Sequence, residues 1–166
     1  MDAQLLALGE TVGSLLKERK ETVAVAESST GGLIAATLLA VPGASAYFLG
    51  GAVVYTRLAR QLLMEMSNES MRGIRSASEP YALLLAQRSQ QRFSASWGLS
   101  ETGATGPTGN PYGDPAGHSC LAVAGTIEQV ITLRTGSSDR LQNMIAFACA
   151  SLTLFAQVLG ERAHQP

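Results

Sequence analysis

The sequence predicts an α/β fold, a three-layer α/β/α sandwich built around a mixed, mostly parallel sheet of about five strands. Apolar segments without a polar face alternate with segments of helical periodicity, in the order α-β-α-β-α-α-β-β-β-α. Of the 166 residues, 46% are hydrophobic, which is enough to bury a sizeable core. The length is that of one ordinary domain, so we expect residues 1–166 to form a single domain.

The first half of the chain alternates helices with strands. The β-branched, apolar run at 22–26 is typical of a strand covered on both sides. The sequence ESSTGG at 27–32 leads from this strand into an apolar helix, which ends at Pro42 and Gly43. The predicted helices cover residues 3–19, 33–41 and 57–66, and the predicted strands cover 22–26 and 50–55.

The second half ends in a hairpin and a long helix. Ser78 and Pro80 are typical of the start of a helix. Residues 103–117 contain five glycines and three prolines, which predicts either an ordered loop or a mobile lid. The predicted helices cover 78–93 and 139–159, and the predicted strands cover 97–101, 118–124 and 129–133.

Charge and composition exclude some classes of partner. The formal net charge is -1, so the chain has no global basic field to hold a nucleic acid or an anionic membrane. Cys120 and Cys149 are expected to be inert, buried thiols in a reducing compartment. The first residues lack the pattern of a secretory signal, so we expect a cytoplasmic location. The lysines are confined to positions 17 and 20.

Three segments are candidates for a binding site, because ligands of open α/β sheets bind beyond the carboxyl ends of parallel strands. They are residues 27–32, 55–60 and 102–107. In the first segment, backbone N–H groups at the start of a helix could face an anion, and a hydroxyl could be a nucleophile. The simpler alternative is that Ser28, Ser29 or Thr30 caps the helix.

A serine nucleophile needs a proton acceptor, and the sequence offers few. Lys20 lies roughly 20 to 25 Å from Ser28 along the strand, at about 3.3 Å per residue. His118 could approach the strand ends, although a structural role for it is the simpler interpretation. A metal site of Glu27, Glu101 and Asp114 with His118 is a further alternative, but its spacing matches no metal motif.

Arg57 and Arg60 are predicted to lie about one helical turn apart, near Tyr55. They could clamp a phosphate or a carboxylate, or they could simply lie on an exposed face.

The three segments carry motifs that resemble the CinA C-terminal domain family, which includes the bacterial nicotinamide mononucleotide deamidases. The similar motifs, in chain order, are AESSTGG at 26–32, PGASAYF at 42–48, GG at 50–51, VYT at 54–56, SE at 78–79 and TGATGP at 102–107. The resemblance covers residues 4–158.

The resemblance implies an α/β/α fold, often dimeric, that hydrolyses the amide of nicotinamide mononucleotide to nicotinate mononucleotide and ammonia. No metal or cofactor is implied. The implied nucleophile is Ser28 and the supporting tyrosine is Tyr55, while the position of the basic residue is occupied by Arg60. The implied substrate-binding residues are Glu27, Thr30, Gly31, Gly32, Ser45, Phe48, Thr102, Gly103, Gly106 and Pro107.

The sequence also departs from the family pattern. The family's basic lysine lies in Y-[ST]-N-x-x-K, whereas residues 55–60 read YTRLAR, and an arginine cannot accept the serine proton near neutral pH. Ser29 replaces the cysteine of ESCTGG. Residues 136–142 lack two C-terminal arginines of the family at the positions where the family has them, and Arg134 or Arg140 could compensate for this loss.

These departures leave three hypotheses for the function. The first is a deamidase-like protein with weak, altered or lost activity. The second is a non-catalytic nucleotide-binding or regulatory homologue in which Arg60 clamps an anion. The third is a different amidohydrolase that uses His118 as its base, which requires His118 to lie near Ser28.

Overall fold

The computed structural model describes residues 1–161, in which five strands form one sheet. The strands are β1 (Val23–Glu27), β2 (Phe48–Val53), β3 (Trp97–Ala104), β4 (His118–Ala124) and β5 (Gln129–Arg134). The helices are α1 (Ala3–Arg19), α2 (Leu33–Leu39), α3 (Arg57–Met64), α4 (Glu79–Phe93) and α5 (Arg140–Glu161), with a 3₁₀ turn at Ala44–Ala46.

The strand order is β2-β1-β3-β4-β5. β1 pairs in parallel with both β2 and β3, whereas the β3–β4 and β4–β5 pairs are antiparallel. Among the described strands, β4 therefore runs against the other four, which confirms the predicted mixed, mostly parallel sheet. Because β1, β2 and β3 run in the same direction, their carboxyl ends meet at one edge of the sheet.

Helices cover both faces of the sheet. α1, α2 and α5 lie on one face, where Val25, Leu99 and Leu121 are fully buried against them. α4 lies on the other face and approaches β3 closely, since a side chain at Gly98 would meet the carbonyl oxygen of Ala86 at 1.9 Å. The predicted three layers are thus present.

α5 is the one described helix that is long and apolar enough to cross a membrane by length and composition. Half of its most apolar window is buried inside the fold, where α5 contacts α1, α2 and three strands. The inner face of α5 explains its apolar composition, because a central helix must match the apolar sheet that it covers.

Some predicted boundaries were wrong by a few residues. β2 begins and ends two residues earlier than predicted, so Tyr55 lies beyond the strand, and β3 extends to Ala104. The spacing of Leu58, Leu62 and Leu63 predicts an apolar side for the helix at 57–66. The structure instead buries Arg60 in α3 and leaves Leu58 and Leu62 more than half exposed.

Candidate functional site

A cavity of about 330 Å³ lies at the shared carboxyl edge of β1, β2 and β3. Of the residues predicted for the site, the cavity is lined by Ser28, Tyr55, Arg60, Thr102 and Gly103. Each follows or ends one of the three parallel strands, except Arg60, which α3 carries. The structure therefore brings together the three predicted segments and both partners of the implied serine-arginine pair.

The Ser28 side chain is available to a ligand. Its backbone N–H donates to Glu101 Oε2 at 3.1 Å, but its hydroxyl makes no hydrogen bond with any residue between 1 and 161. Ser28 is only partly buried and lines the cavity. A free hydroxyl beside a cavity can bond to a ligand or attack one, if a base removes its proton.

The buried carboxylate of Glu101 holds the loop that carries Ser28. Besides the Ser28 N–H, it accepts hydrogen bonds from the Ser29 hydroxyl at 2.5 Å, the Thr30 N–H at 2.9 Å and the Ser119 hydroxyl at 3.1 Å. The serine that replaces the family's cysteine thus has a definite partner. The sequence alone did not assign this role to Glu101, although an acid inside an otherwise apolar strand was a usable signal.

Glu27 occupies the N-terminus of α2. Its carboxylate accepts the backbone N–H groups of Gly32, Ile34 and Ala35 at 2.8 to 3.1 Å. Two expectations for this segment were therefore wrong: no hydroxyl of residues 28–30 caps the helix, and its N–H groups are not open to an anion. A carboxylate serves this helix better than a hydroxyl does, because it satisfies several N–H groups and the helix dipole together.

The Thr30 hydroxyl lies between two buried carboxylates, at 2.7 Å from Glu27 Oε2 and 3.0 Å from Glu101 Oε2. A hydroxyl has a single hydrogen and cannot donate to both at once. Burial raises the pKa of Glu27 above its ordinary value, and the nearby Glu101 adds to this rise, although hydrogen bonds from Ala35, Thr30 and Ile34 oppose it.

Arg60 is a buried cation at the wall of the cavity. Only 5% of its surface is exposed, its Nε atom is fully buried without a hydrogen-bond partner, and no carboxylate among residues 1–161 lies within 4.0 Å. Its guanidinium carbon lies 6.0 Å from the ring centroid of Tyr81, which also lines the cavity. Burial raises the pKa of Tyr81, and the positive charge of Arg60 and its hydrogen bond with Tyr81 oppose the rise.

Arg140 joins two parts of the predicted site at the rim of the cavity. It donates to the Tyr55 hydroxyl at 3.3 Å and to the carbonyl oxygen of Gly106 at 2.7 Å. Arg134 lies exposed at the end of β5 and lines no part of the cavity. Of the two arginines left open by the sequence, Arg140 is therefore the one that reaches the site.

An ion pair holds the loop at 103–117, and part of this loop lines the cavity. Arg75 binds both carboxylate oxygens of Asp114, at 2.6 and 3.0 Å, and the Asn110 amide donates to the same carboxylate at 2.8 Å. The Arg75 hydrogen bond holds the pKa of Asp114 below its ordinary value. The structure thus corresponds to the ordered-loop alternative and places Asn110 and Tyr112 in the cavity wall.

His118 is not brought to Ser28. Its Nε2 atom lies 2.9 Å from the carbonyl oxygen of Ala77 and 3.7 Å from Asp114 Oδ2, and its Nδ1 atom is buried without a partner. Nε2 therefore carries the hydrogen that the carbonyl accepts. No group of three or more His, Cys, Asp or Glu side chains suited to a metal ion occurs within residues 1–161, so the geometry does not favour the metal alternative.

The remaining predicted substrate-binding residues lie outside the cavity lining. Ser45 is exposed in the 3₁₀ turn, and Phe48 packs against the core at the start of β2. The other members of the set are likewise not part of the cavity lining; they are Glu27, Thr30, Gly31, Gly32, Gly106 and Pro107. Sequence reasoning in turn missed Tyr81 and Tyr112, which do line the cavity.

A larger groove of about 800 Å³ runs between β5, α5 and the start of α1. Its wall is mostly apolar and includes Ile131, Ile145 and Cys149, and none of the predicted site residues lies there. The chemistry is therefore concentrated in the smaller cavity.

Comparison with protein families shows the family to which the chain belongs. A model of the CinA C-terminal domain matches residues 5–159. The chain belongs to the CinA C-terminal domain family. This CinA domain is 37% identical over 162 residues to a CinA-like protein from Chlorobium limicola, covering 92% of this chain and 38% of that protein. It is 40% identical over 119 residues to a CinA-like protein from Prochlorococcus marinus, covering 72% of this chain and 28% of that protein.

Two solved structures share the fold of this domain. The CinA domain superimposes on the competence/damage inducible protein CihA from Agrobacterium tumefaciens with a TM-score of 0.88 at 26% identity, covering 96% of this chain and 98% of that one. A CinA superfamily protein from Klebsiella pneumoniae also gives a TM-score of 0.88, at 22% identity and with 95% and 98% of the two chains covered. The latter likeness shows the fold alone.

Proposed function

We propose that the cavity at Ser28 and Arg60 binds a pyridine mononucleotide, whose anionic group pairs with Arg60. In this proposal the amide faces Ser28, but its hydrolysis is slow or absent because the serine lacks a proton acceptor. The observation that carries the proposal is the buried Arg60 guanidinium, which lines the cavity without a carboxylate partner.

A buried cation without a carboxylate partner is costly, and an anionic ligand would offset that cost. Removing a guanidinium from water without compensating hydrogen bonds is unfavourable. A phosphate or a carboxylate supplies charge-assisted hydrogen bonds that match the fork of an arginine side chain. Among residues 1–161, no Asp or Glu side chain lines the cavity, so the charge of its wall favours an anion over a cation.

Among residues 1–161, those that line the cavity with Ser28 include no histidine, lysine, aspartate or glutamate to act as the base for hydrolysis. An arginine such as Arg60 does not act as a base near neutral pH, and the Nε2 atom of His118 donates its hydrogen to the carbonyl oxygen of Ala77. Lys17 donates to the carbonyl oxygen of Pro42, and the sequence contains no lysine after residue 20. Loss of the base therefore supports binding without efficient turnover.

A second candidate is an active serine amidohydrolase. The free Ser28 hydroxyl favours it, since nothing in the described part of the chain holds that oxygen away from a substrate. Tyr55 and the cationic Arg60 line the same cavity and could stabilise negative charge on a reacting carbonyl.

Ammonia release from nicotinamide mononucleotide, measured beside calorimetric binding, tests both candidates. The wild-type chain should bind the nucleotide and release little ammonia, and Arg60→Lys should gain hydrolysis that disappears when Ser28→Ala is added. Hydrolysis by the wild type that is lost in Ser28→Ala would establish the second candidate instead. Absence of nucleotide binding would refute the proposal.

A cytoplasmic location and a homodimer, both expected from the sequence, stay proposals. Support for the dimer comes from α3, where Leu58, Leu62 and Leu63 are 43% to 68% exposed. Light scattering should give twice the 17.3 kDa mass of the chain, and Leu58→Glu with Leu62→Glu should give the monomer. A wild-type monomer would exclude the dimer.

A further inference from the structure

A second cavity of about 270 Å³ adjoins the first and shares part of its wall. The residues common to both are Arg57, Arg60, Ser76 and Tyr112. We call the second cavity the arginine compartment, because Arg57, Arg60 and Arg75 all line it. The two compartments together are of the size usual for small-molecule sites, which is about 300–1,000 Å³.

The arginine compartment has an excess of positive charge. No Asp or Glu side chain belongs to its wall, although the chain as a whole has a formal net charge of -1. Asp114 neutralises Arg75, but neither Arg57 nor Arg60 has a carboxylate within 4.0 Å among residues 1–161. Two guanidinium groups without a carboxylate partner therefore lie at the junction of the two compartments.

The rest of the compartment suits a planar apolar group. Met71 and Ile74 are partly buried in its wall. The ring of Tyr112 is 44% exposed, and the Arg75 guanidinium, fixed by Asp114, lies 5.6 Å from its centroid. Aromatic rings and arginine planes of this kind are the groups on which nucleic-acid bases stack.

We propose that the arginine compartment receives the second half of a dinucleotide, whose pyrophosphate lies between Arg57 and Arg60. This inference rests on the proposed function, in which the Ser28 compartment receives a pyridine mononucleotide unit. The preferred ligand class is then a pyridine dinucleotide, which carries two phosphoryl groups for the two unpaired arginines and a second base for the wall at Tyr112.

Calorimetric titration of the full chain with nicotinamide mononucleotide and with NAD tests the inference. NAD should bind at least about tenfold more tightly than the mononucleotide, which is the ratio that a modest gain in binding free energy produces. Arg57→Gln should weaken NAD binding about tenfold. The matched control is Arg72→Gln, because Arg72 is an exposed arginine that lines neither compartment, and its effect should stay within about twofold.

A second pair of variants fills the compartment without removing charge. Asn68 is exposed and lines the arginine compartment, so Asn68→Trp should reduce NAD affinity to that of the mononucleotide and leave mononucleotide affinity unchanged. Gln61→Trp, on the exposed side of α3, is the control. Equal affinity of the wild type for the two nucleotides, or no effect of Asn68→Trp on NAD affinity, would overturn the inference. Binding of the mononucleotide in the same experiment would still support the proposed function. Binding of neither nucleotide would overturn both.

Discussion

The Glu101 carboxylate accepts the backbone N–H of Ser28 at 3.1 Å, so a buried acid on β3 fixes the residue that follows β1. The same carboxylate serves Ser29 and Thr30, and it therefore sets the position of the whole turn on which Ser28 lies. A loop held by its backbone in this way presents a side chain to a cavity with little loss of entropy on binding.

Removing the Glu101 carboxylate should destabilise the fold. Glu101→Ala leaves the N–H groups of Ser28 and Thr30 and the Ser29 hydroxyl without their acceptor, so we expect a loss of roughly 2–4 kcal/mol in the free energy of unfolding. Urea denaturation measures it. Glu10→Ala, at an exposed acid on α1, should change stability by less than about 0.5 kcal/mol. Similar losses in the two variants would contradict the anchoring role.

The raised pKa of Glu27 predicts a pH dependence of stability. Above pH 4.5 the unfolded chain releases the Glu27 proton while the folded chain still retains it, so the stability that this group contributes falls as pH rises through the folded pKa. The free energy of unfolding of the wild type minus that of Glu27→Gln should therefore decrease from pH 4.5 upward. Urea denaturation of both proteins across this range measures it, and a difference that grows with pH would refute the prediction.

The ion pair between Arg75 and Asp114 should control the order of the loop at 103–117. Arg75→Gln removes the bidentate contact, so amides such as Asn110 and Gly113, whose hydrogen bonds are internal to the loop, should exchange with deuterium faster. Arg72→Gln, which breaks an exposed ion pair, should leave their exchange unchanged. Because the pKa of Asp114 is lowered, the wild-type loop should also loosen as pH falls below about 3.8.

Replacing Arg60 should separate stability from binding. Arg60→Met keeps much of the side-chain volume and removes a buried charge that has no carboxylate partner among residues 1–161, so we expect the free energy of unfolding to rise by roughly 1 kcal/mol while nucleotide binding is lost. The control Arg57→Met, at an exposed arginine, should change stability by less than about 0.5 kcal/mol. Thermal unfolding with calorimetric binding measures both quantities, and a destabilised Arg60→Met would show that the charge has a structural partner.

The sequence predicted the layers, the strand directions and the edge at which the site lies, because periodicity and strand-end position follow from local patterns. α3 shows where this reasoning fails. Its leucines form an apolar stripe that predicts a buried side, yet the structure buries Arg60 and Met64 instead. Periodicity reports which side chains share a face, but it does not report whether that face meets the core, solvent or a cavity.

The site was predictable only in part for a similar reason. Ser28, Tyr55 and Thr102 follow from strand ends, whereas Glu101 and Tyr112 reach the site through pairings between residues far apart in sequence. The family resemblance implied that Glu27 binds the substrate. Alternation along β1 directs neighbouring side chains to opposite sides, and Glu27 therefore turns to the N-terminus of α2.

The absence of carboxylates from the walls of both cavities has a kinetic consequence. The molecule is nearly neutral overall, so its long-range field gives an approaching anion little guidance, and salt screens what remains beyond about 10 Å at 0.1 M. Attraction becomes strong only once the anion has entered the mouth of the cavity. Added salt should therefore shorten the residence time of a bound nucleotide more than it slows the nucleotide's arrival.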